Sequence, residues 1–287
     1  MSSPRAIPFT KLHGLGNDFV LVDARPEAGP RAAQAAALLS KDVVRAIADR
    51  KRGVGFDQLL VLRPSPRVHA VLDIYNADAS MAEMCGNGLR AAALYLWTRG
   101  RATDHELVLE TAAGDRRARA LGPLDEAGDD VLIECEMGVP RLVPLPAALK
   151  RGVQLGRRRE RPVCVNVGNP HAVFFTPART DAELRRWGPL VERHKAFPRR
   201  TNVEFARSLD RHVIDVRVWE RGVGVTEACG TGAVAAAVAA IHTGRADSPV
   251  EVRFPGGAAE VRWDGPKQPA FLRGHASEVF SGDWLLR

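Results

Sequence analysis

Glu83-Met84-Cys85-Gly86-Asn87-Gly88 returns 144 residues later, half the length of the 287-residue chain, as Glu227-Ala228-Cys229-Gly230-Thr231-Gly232. Each phrase opens an Ala-rich run, and each run ends in Gly-Arg-Ala, at Gly100 to Ala102 and at Gly244 to Ala246. Between 82–102 and 226–246, ten of the 21 aligned positions are identical. The chain therefore reads as a duplicated half-protein with one cysteine per half at the start of a helix. Two such cysteines facing each other across a cleft make a two-base device for moving a proton across a carbon centre.

Outside the repeat the sequence is rich in strand signals. β-Branched, alternating segments bounded by Gly, Pro, Asn or Asp recur along both halves, and Val68, Ala70, Leu72 and Ile74 show the alternation well. Helix-like runs are expected at 31–39, 41–50, 88–99, 181–187 and 232–243, with Ser40 and Thr180 as N-caps, each followed by an acidic residue in the first turn. Many strands and few helices, arranged twice, give an α+β fold of two pseudo-symmetric domains, each wrapping a mixed or antiparallel sheet around one central helix. An enclosed helix must be apolar nearly all round, as Ala235-Ala236-Ala237-Val238-Ala239-Ala240-Ile241 is. The polar stretch from Leu121 to Asp130 sets the expected boundary, with a first half at 1–127 and a second at 128–275.

Composition narrows the function. Hydrophobic content of 45% and charged content of 26% are those of an ordinary globular protein. No apolar run approaches the roughly 18–20 residues that span a membrane, and Met1 to Pro8 lacks the apolar segment of a signal peptide; the reading is a cytoplasmic protein without membrane association. The formal charge is +7, concentrated in Arg157-Arg158-Arg159-Glu160-Arg161 and Arg199-Arg200. Neither cluster has interleaved aromatics, so both read as solvated surface charge that attracts anionic small molecules rather than nucleic acid. The four cysteines at 85, 135, 164 and 229 form no CxxC pair and sit near no suitably spaced His, which argues against a metal site. Cys135 falls on the apolar side of an alternating segment and Cys164 in a strand; both read as inert buried thiols.

The chemistry points to the repeat. A cysteine at a helix mouth meets unpaired backbone N–H groups and the positive end of the helix dipole, which stabilise a thiolate and hold a carboxylate. Flanking glycines let a ligand approach the backbone closely. The repeat also breaks informatively: nine residues before each cysteine stands Asn76 in one half and Glu220 in the other. Glu220 and Arg221 together suit the ammonium and carboxylate of one amino-acid group, or form a surface ion pair after a strand. Gly14-Leu15-Gly16-Asn17 and Val167-Gly168-Asn169-Pro170-His171 form a looser repeat that places Asn after Gly in a turn. His171 reads as a turn or core histidine, or, near a thiolate, as its charge partner. No dinucleotide fingerprint, phosphate loop, Ser-His-Asp set or pyridoxal-type lysine context is present, so cofactor-free chemistry is expected.

In these residues the chain resembles the diaminopimelate epimerase family of pyridoxal-independent amino-acid racemases. The matching segments are Lys11 to Phe19, Gly55-Phe56-Asp57-Gln58, Asn76-Ala77-Asp78, Met84 to Gly88, Asn166 to His171, Thr201 to Glu204, Glu220 to Gly224, and Ala228 to Gly232. The resemblance implies interconversion of LL- and meso-2,6-diaminopimelate without cofactor, with Cys85 and Cys229 as the acid/base pair. It implies that Gly86, Asn87, Gly230 and Thr231 bind the reacting carboxylate, and that Asn17, Gln58, Asn76, Asn169, Asn202, Glu220 and Arg221 bind the rest of the substrate. His171 and Glu220 are implied to tune the thiols. A homodimer is implied, with β-barrel-like domains and residues 276–287 returning to the first. A racemase for another amino acid is the alternative, and a thiol-based redox sensor a third reading. Ala79, Met81 and Val225 depart from the family's commonest pattern, which has Gly, an acidic residue and Glu there.

Overall fold

A helix enclosed on every side needs short side chains, because the sheet around it must reach its backbone from all directions. The two Ala-rich runs answer this demand. In the computed structural model, which describes residues 6–99, 102–122, 131–176 and 180–286, each run is a 13-residue helix, Gly86–Thr98 and Gly230–His242. In the first every residue from Gly86 to Trp97 is buried, and in the second every residue from Gly230 to Ala240.

The chain divides into two compact units, Met1–Cys135 with Gly274–Arg287, and Glu136–Arg273. The boundary expected between 127 and 128 lies outside the described residues. Unit 1 contains β1 (Ala6–Gly14), β2 (Asn17–Asp23), α1 (Pro30–Leu38), α2 (Lys41–Ala48), β3 (Gln58–Arg63), β4 (Ala70–Asn76), α3 (Gly86–Thr98), β5 (Glu106–Thr111), β6 (Gly114–Ala120) and β7 (Val131–Glu136). Unit 2 contains β8 (Arg141–Val143), β9 (Val153–Leu155), β10 (Arg158–Glu160), β11 (Val163–Asn166), β12 (Pro170–Phe174), α4 (Asp181–Glu192), β13 (Asn202–Ser208), β14 (Val213–Glu220), β15 (Gly224–Thr226), α5 (Gly230–His242), β16 (Val250–Phe254) and β17 (Gly257–Trp263). The last strand, β18 (Ala270–Leu285), begins in unit 2 and ends in unit 1.

In unit 1 the strands follow one another from β1 to β7, and β18 stands next to β7 and also pairs with β1, which closes an eight-stranded ring. β2–β3 and β4–β5 are parallel and the other described pairs antiparallel. Parallel neighbours need a crossover: α1 and α2 supply the first and α3 the second. Unit 2 repeats the scheme, with β12–β13 and β14–β16 parallel and with α4 and α5 in the crossovers. Its sheet runs β18-β17-β16-β14-β13-β12-β11-β8, with β8 beside β11 where unit 1 has β18 beside β1. The expected mixed sheet around one central helix is thus present in both units.

The crossover helices α1, α2 and α4 cover the outer faces. Ala35, Val44 and Ile47 pack with Val20, Val22, Leu59 and Val61, and Leu184, Trp187 and Val191 pack with Phe174, Val203 and Phe205. Strands β2, β3, β12 and β13 are therefore buried on both faces, which explains their near-continuous apolar runs. Ser40 caps α2 through the Val43 N–H, and Thr180 forms a capping box with Glu183. The structure corrects two boundaries. α4 runs to Glu192 rather than stopping at 187, because Gly188 seats the Trp219 ring, which a Cβ there would meet at 2.3 Å. The sequence pattern also places a strand over 270–280, and β18 continues past it to Leu285 because it pairs with β1 as far as Ala6.

The enclosed helices leave no room for growth. Ala236 is fully buried, so Ala236→Leu should destabilise the protein by about 1–3 kcal/mol through overpacking. Ala33→Leu, on the exposed side of α1, should change stability by less than about 0.5 kcal/mol. Urea midpoints of the two variants test the contrast, and equal midpoints would contradict the enclosure.

Candidate active site

Cys85 and Cys229 occupy the same backbone position in their units. Each is the N-cap of the enclosed helix, with φ, ψ of −142°, 112° and −143°, 116°. Each sulfur accepts the N–H of the glycine three residues on, at 3.3 Å from Gly88 and 3.4 Å from Gly232. Both positions are tight for any larger residue. A Cβ at 88 would meet Leu60 Cδ2 at 3.0 Å and Cys85 Sγ at 3.5 Å; at 232 it would meet Glu204 Oε1 at 3.0 Å and Cys229 Sγ at 3.3 Å. The residues before these glycines, Gly86 and Asn87 in unit 1 and Gly230 and Thr231 in unit 2, lie in the first turn, where backbone N–H groups have no intrahelical acceptor and favour an anion.

In unit 1 the polar groups form one directed chain. Fully buried Arg90 donates from Nη2 to Asn87 Oδ1 (2.6 Å), Asn87 Nδ2 donates to Asn17 Oδ1 (2.7 Å), and Asn17 Nδ2 donates to Asp57 Oδ2 (3.2 Å). The guanidinium fixes the sense of every amide along it. Asp57 shares Arg50 with Asp18, which also binds Lys11. On the neighbouring strands Gln58 Nε2 donates to Asn76 Oδ1 at 3.1 Å. Ala79, in the turn beyond Asn76, adopts φ 67°, the left-handed region that favours glycine; its buried methyl packs into the outer core, which offsets that strain.

Unit 2 carries a different chain on the same frame. Glu204 Oε1 and His171 Nδ1 are 2.6 Å apart, His171 Nε2 reaches Asn169 Oδ1 at 2.8 Å, and Asn169 Nδ2 donates to Thr231 Oγ1 at 3.3 Å. Thr231 Oγ1 in turn lies 3.5 Å from Cys229 Sγ. Asn202 Oδ1 accepts the Arg221 backbone N–H at 2.8 Å. Glu220 accepts from Thr226 Oγ1 at 2.6 Å. Burial pushes Cys229 well above the usual thiol range, and Glu220 and Glu204 push it further, while Thr231 and the Gly232 N–H pull the other way. Burial likewise raises Glu220 and Glu204. Burial also raises the other two thiols, Cys135 up to about 12 and Cys164 up to about 11.

Comparison with known proteins fits this geometry. A family model described as diaminopimelate epimerase matches residues 9–143 and 163–279. The chain belongs to the diaminopimelate epimerase family. It is 44% identical over 285 residues to a protein named diaminopimelate epimerase from Desulforudis audaxviator, covering 96% of this chain and 99% of that one. It is 41% identical over 286 residues to another of that name from Moorella thermoacetica, covering 97% and 99%. The fold is shared more widely. The phenazine biosynthesis protein of the PhzF family from Bacillus anthracis superposes with a TM-score of 0.71 at 15% identity, covering 98% of this chain and 99% of that one.

Within this family frame, unit 1 brings together Cys85, Gly86, Asn87 and Asn17, with Gln58 and Asn76 paired on adjacent strands. Unit 2 brings together Cys229, Gly230, Thr231, Asn169, His171 and Glu220, with Asn202 beside the Arg221 backbone. His171 is linked to the sulfur by way of Asn169 and Thr231. Sequence reasoning missed Arg90, Asp57 and Glu204. The signal for two of them was there: Arg90 is a charged residue in an otherwise apolar helical run, and Glu204 one in an apolar strand.

The ion cluster beside Asn17 makes a stability prediction. Burial raises the Asp18 carboxyl, but the donors Arg50 and Lys11 outweigh it and hold it at about 2, down from 3.8. A depressed carboxylate stabilises the fold above its unfolded value and loses that contribution as pH falls through the folded one. Asp18→Asn should therefore cost about 1–2 kcal/mol near neutral pH. The gap between variant and wild type should close as pH drops from about 4 to about 2. Denaturant unfolding across that range measures it; a gap independent of pH would refute the ionic origin.

Proposed function

We propose that the protein interconverts LL- and meso-2,6-diaminopimelate by a two-base, cofactor-independent mechanism in which Cys85 and Cys229 are the acid and base. The observation that carries this is the paired N-cap: two cysteines with matching backbone geometry and matching N–H contacts to sulfur, in a chain of the diaminopimelate epimerase family. In one direction the thiolate of one cysteine takes the α-proton while the thiol of the other delivers a proton to the opposite face of the carbon. In the reverse direction the roles exchange. Charge that develops on the substrate moves into its α-carboxylate. The N–H groups of Gly86, Asn87, Gly230 and Thr231 bind that carboxylate in this reading, and donors fixed before the reaction stabilise such charge most.

The distal amino-acid group is read by Asn17, Gln58, Asn76, Asn169, Asn202, Glu220 and Arg221. Arg221 offers a planar fork to the non-reacting carboxylate, a geometry Lys cannot copy. Glu220 offers a carboxylate to an ammonium and, with His171, tunes the Cys229 thiol. The reading extends to lysine and cell-wall precursor biosynthesis and to a cytoplasmic homodimer. No disulfide joins the four cysteines among the described residues, which suits a reducing compartment, and light scattering tests the dimer.

The test is incubation with LL-diaminopimelate without added pyridoxal phosphate. The meso isomer should form, faster than lysine, proline or histidine is racemised at equal concentration; faster racemisation of any of the three would overturn the substrate. Cys85→Ala and Cys229→Ala should each lower the rate by at least about 10²–10⁴-fold, and most of the activity surviving in either would overturn the two-base assignment. Arg221→Lys should raise KM about 10- to 100-fold in a folded protein, the size of a hydrogen bond to a charged group. An unchanged KM would remove Arg221 from the site.

A further inference from the structure

The duplication supplies an internal control for each buried polar group. Parallel pairing sets Phe19 opposite Gln58 in unit 1 and His171 opposite Asn202 in unit 2. Two residues further along, β3 carries Leu60 and β13 carries Glu204. Both stand under the glycine at the third helical position, where a Cβ would meet Leu60 Cδ2 or Glu204 Oε1 at the same 3.0 Å. The Phe19–Leu60 pair of unit 1 is thus the apolar counterpart of His171–Glu204 in unit 2. All four side chains are buried to within 1% exposure. Burying an imidazole and a carboxylate costs free energy that an apolar pair does not, and unit 1 builds the same frame without that cost. The polar pair is therefore not needed for the fold.

What the polar pair does follows from the direction of its hydrogen bonds. Asn169 gives its amide N–H to Thr231, so its carbonyl oxygen faces His171, and His171 must donate from Nε2. Nδ1 then shares one proton with Glu204 Oε1, and the pair is neutral overall whichever atom holds that proton. Thr231 Oγ1 has accepted from Asn169, which leaves its O–H for Cys229 Sγ, 3.5 Å away. The Gly232 N–H donates to the same sulfur. The other charged group facing this set is Glu220 on β14. In unit 1 the corresponding amide points the other way, because Asn17 accepts from Asn87.

We propose that Glu204 is a positioning residue for the reaction: through His171 and Asn169 it turns the Thr231 hydroxyl so that it donates to the Cys229 sulfur. The inference rests on the reading of Cys229 as one of the two acid/base thiols. Without a partner at Nδ1 the imidazole is free to take its proton there and leave Nε2 bare. The Asn169 amide then reverses, Thr231 donates to it, and the sulfur keeps only the Gly232 N–H. A lost donor disfavours the thiolate.

The test compares Glu204→Leu, which copies the residue of unit 1, with Glu204→Gln, whose amide N–H can donate to Nδ1 and keep Nε2 protonated. Glu204→Leu should lower kcat about 10- to 100-fold, the size of a hydrogen bond to a charged group, with KM for diaminopimelate changed less than threefold or so. Its Cys229 titration, followed as ultraviolet thiolate absorbance by difference from Cys229→Ala, should move up by about 1 unit. Glu204→Gln should restore most of the loss in both. If Glu204→Leu does not fold, His171→Phe/Glu204→Leu, which carries the whole pair of unit 1, should fold and show the same losses. An unmoved titration in the folded variant, or a Gln variant as impaired as Leu in both measurements, would overturn the proposal. A shifted titration with unchanged kcat would uphold the relay and overturn the assignment of Cys229 to the chemistry.

Discussion

At each helix mouth everything depends on one contact, a cysteine sulfur accepting the N–H of the third residue of a helix buried on all sides, and each unit makes it once. The helix is slim because the ring of strands must reach it, which explains its run of alanines. Its third residue is glycine, and the sulfur and the strand beneath leave little room for a Cβ there. The remaining first-turn N–H groups have no acceptor within the helix. The packing demand of the core thus creates a thiol and an anion cradle at the same spot.

Duplication kept that frame and let its contents diverge. Strand order, the pattern of parallel pairs and the cap dihedrals match between the units, yet the buried charged groups near the two helix mouths are opposite in kind. Unit 1 holds a guanidinium, Arg90, at the position where α5 carries Val234. Unit 2 holds a carboxylate, Glu204, where β3 carries Leu60. Each buried charge dictates which way a chain of neutral amides and hydroxyls points, so two helix mouths with the same backbone present different hydrogen-bonding faces.

Much of this is legible in the sequence because the duplicated motif reports its own geometry. Cys-Gly-x-Gly before an apolar run specifies an N-cap, a close approach and an enclosed helix, and Ser40 and Thr180 announce their helices by cap chemistry. Strands β8, β9, β10 and β15 are not legible, since three residues are too few to show a period. The end of α4 is obscured because Gly188-Pro189 normally signals a stop, and only the Trp219 ring shows why glycine stands inside the helix. Glu204 escapes for a related reason. Residues 202–206 of its strand are buried on both faces, so alternation cannot tell which way a charge points, and its partner His171 lies 33 residues away.

The last strand has a consequence for how the chain is made. Unit 2 is assembled wholly from residues 136–273, an uninterrupted segment. Unit 1 holds most of the first half of the chain but closes its ring with Gly274–Arg287, a segment that follows the whole of unit 2 in the chain. During synthesis the second unit acquires all its strands while the first still has an open edge between β1 and β7, the kind of unpaired edge that invites wrong partners. The unit that begins first in the chain is therefore the later of the two to have all its strands synthesised. A chain cut after residue 273 would keep every residue of the later-encoded half and leave the earlier-encoded half without its closing strand.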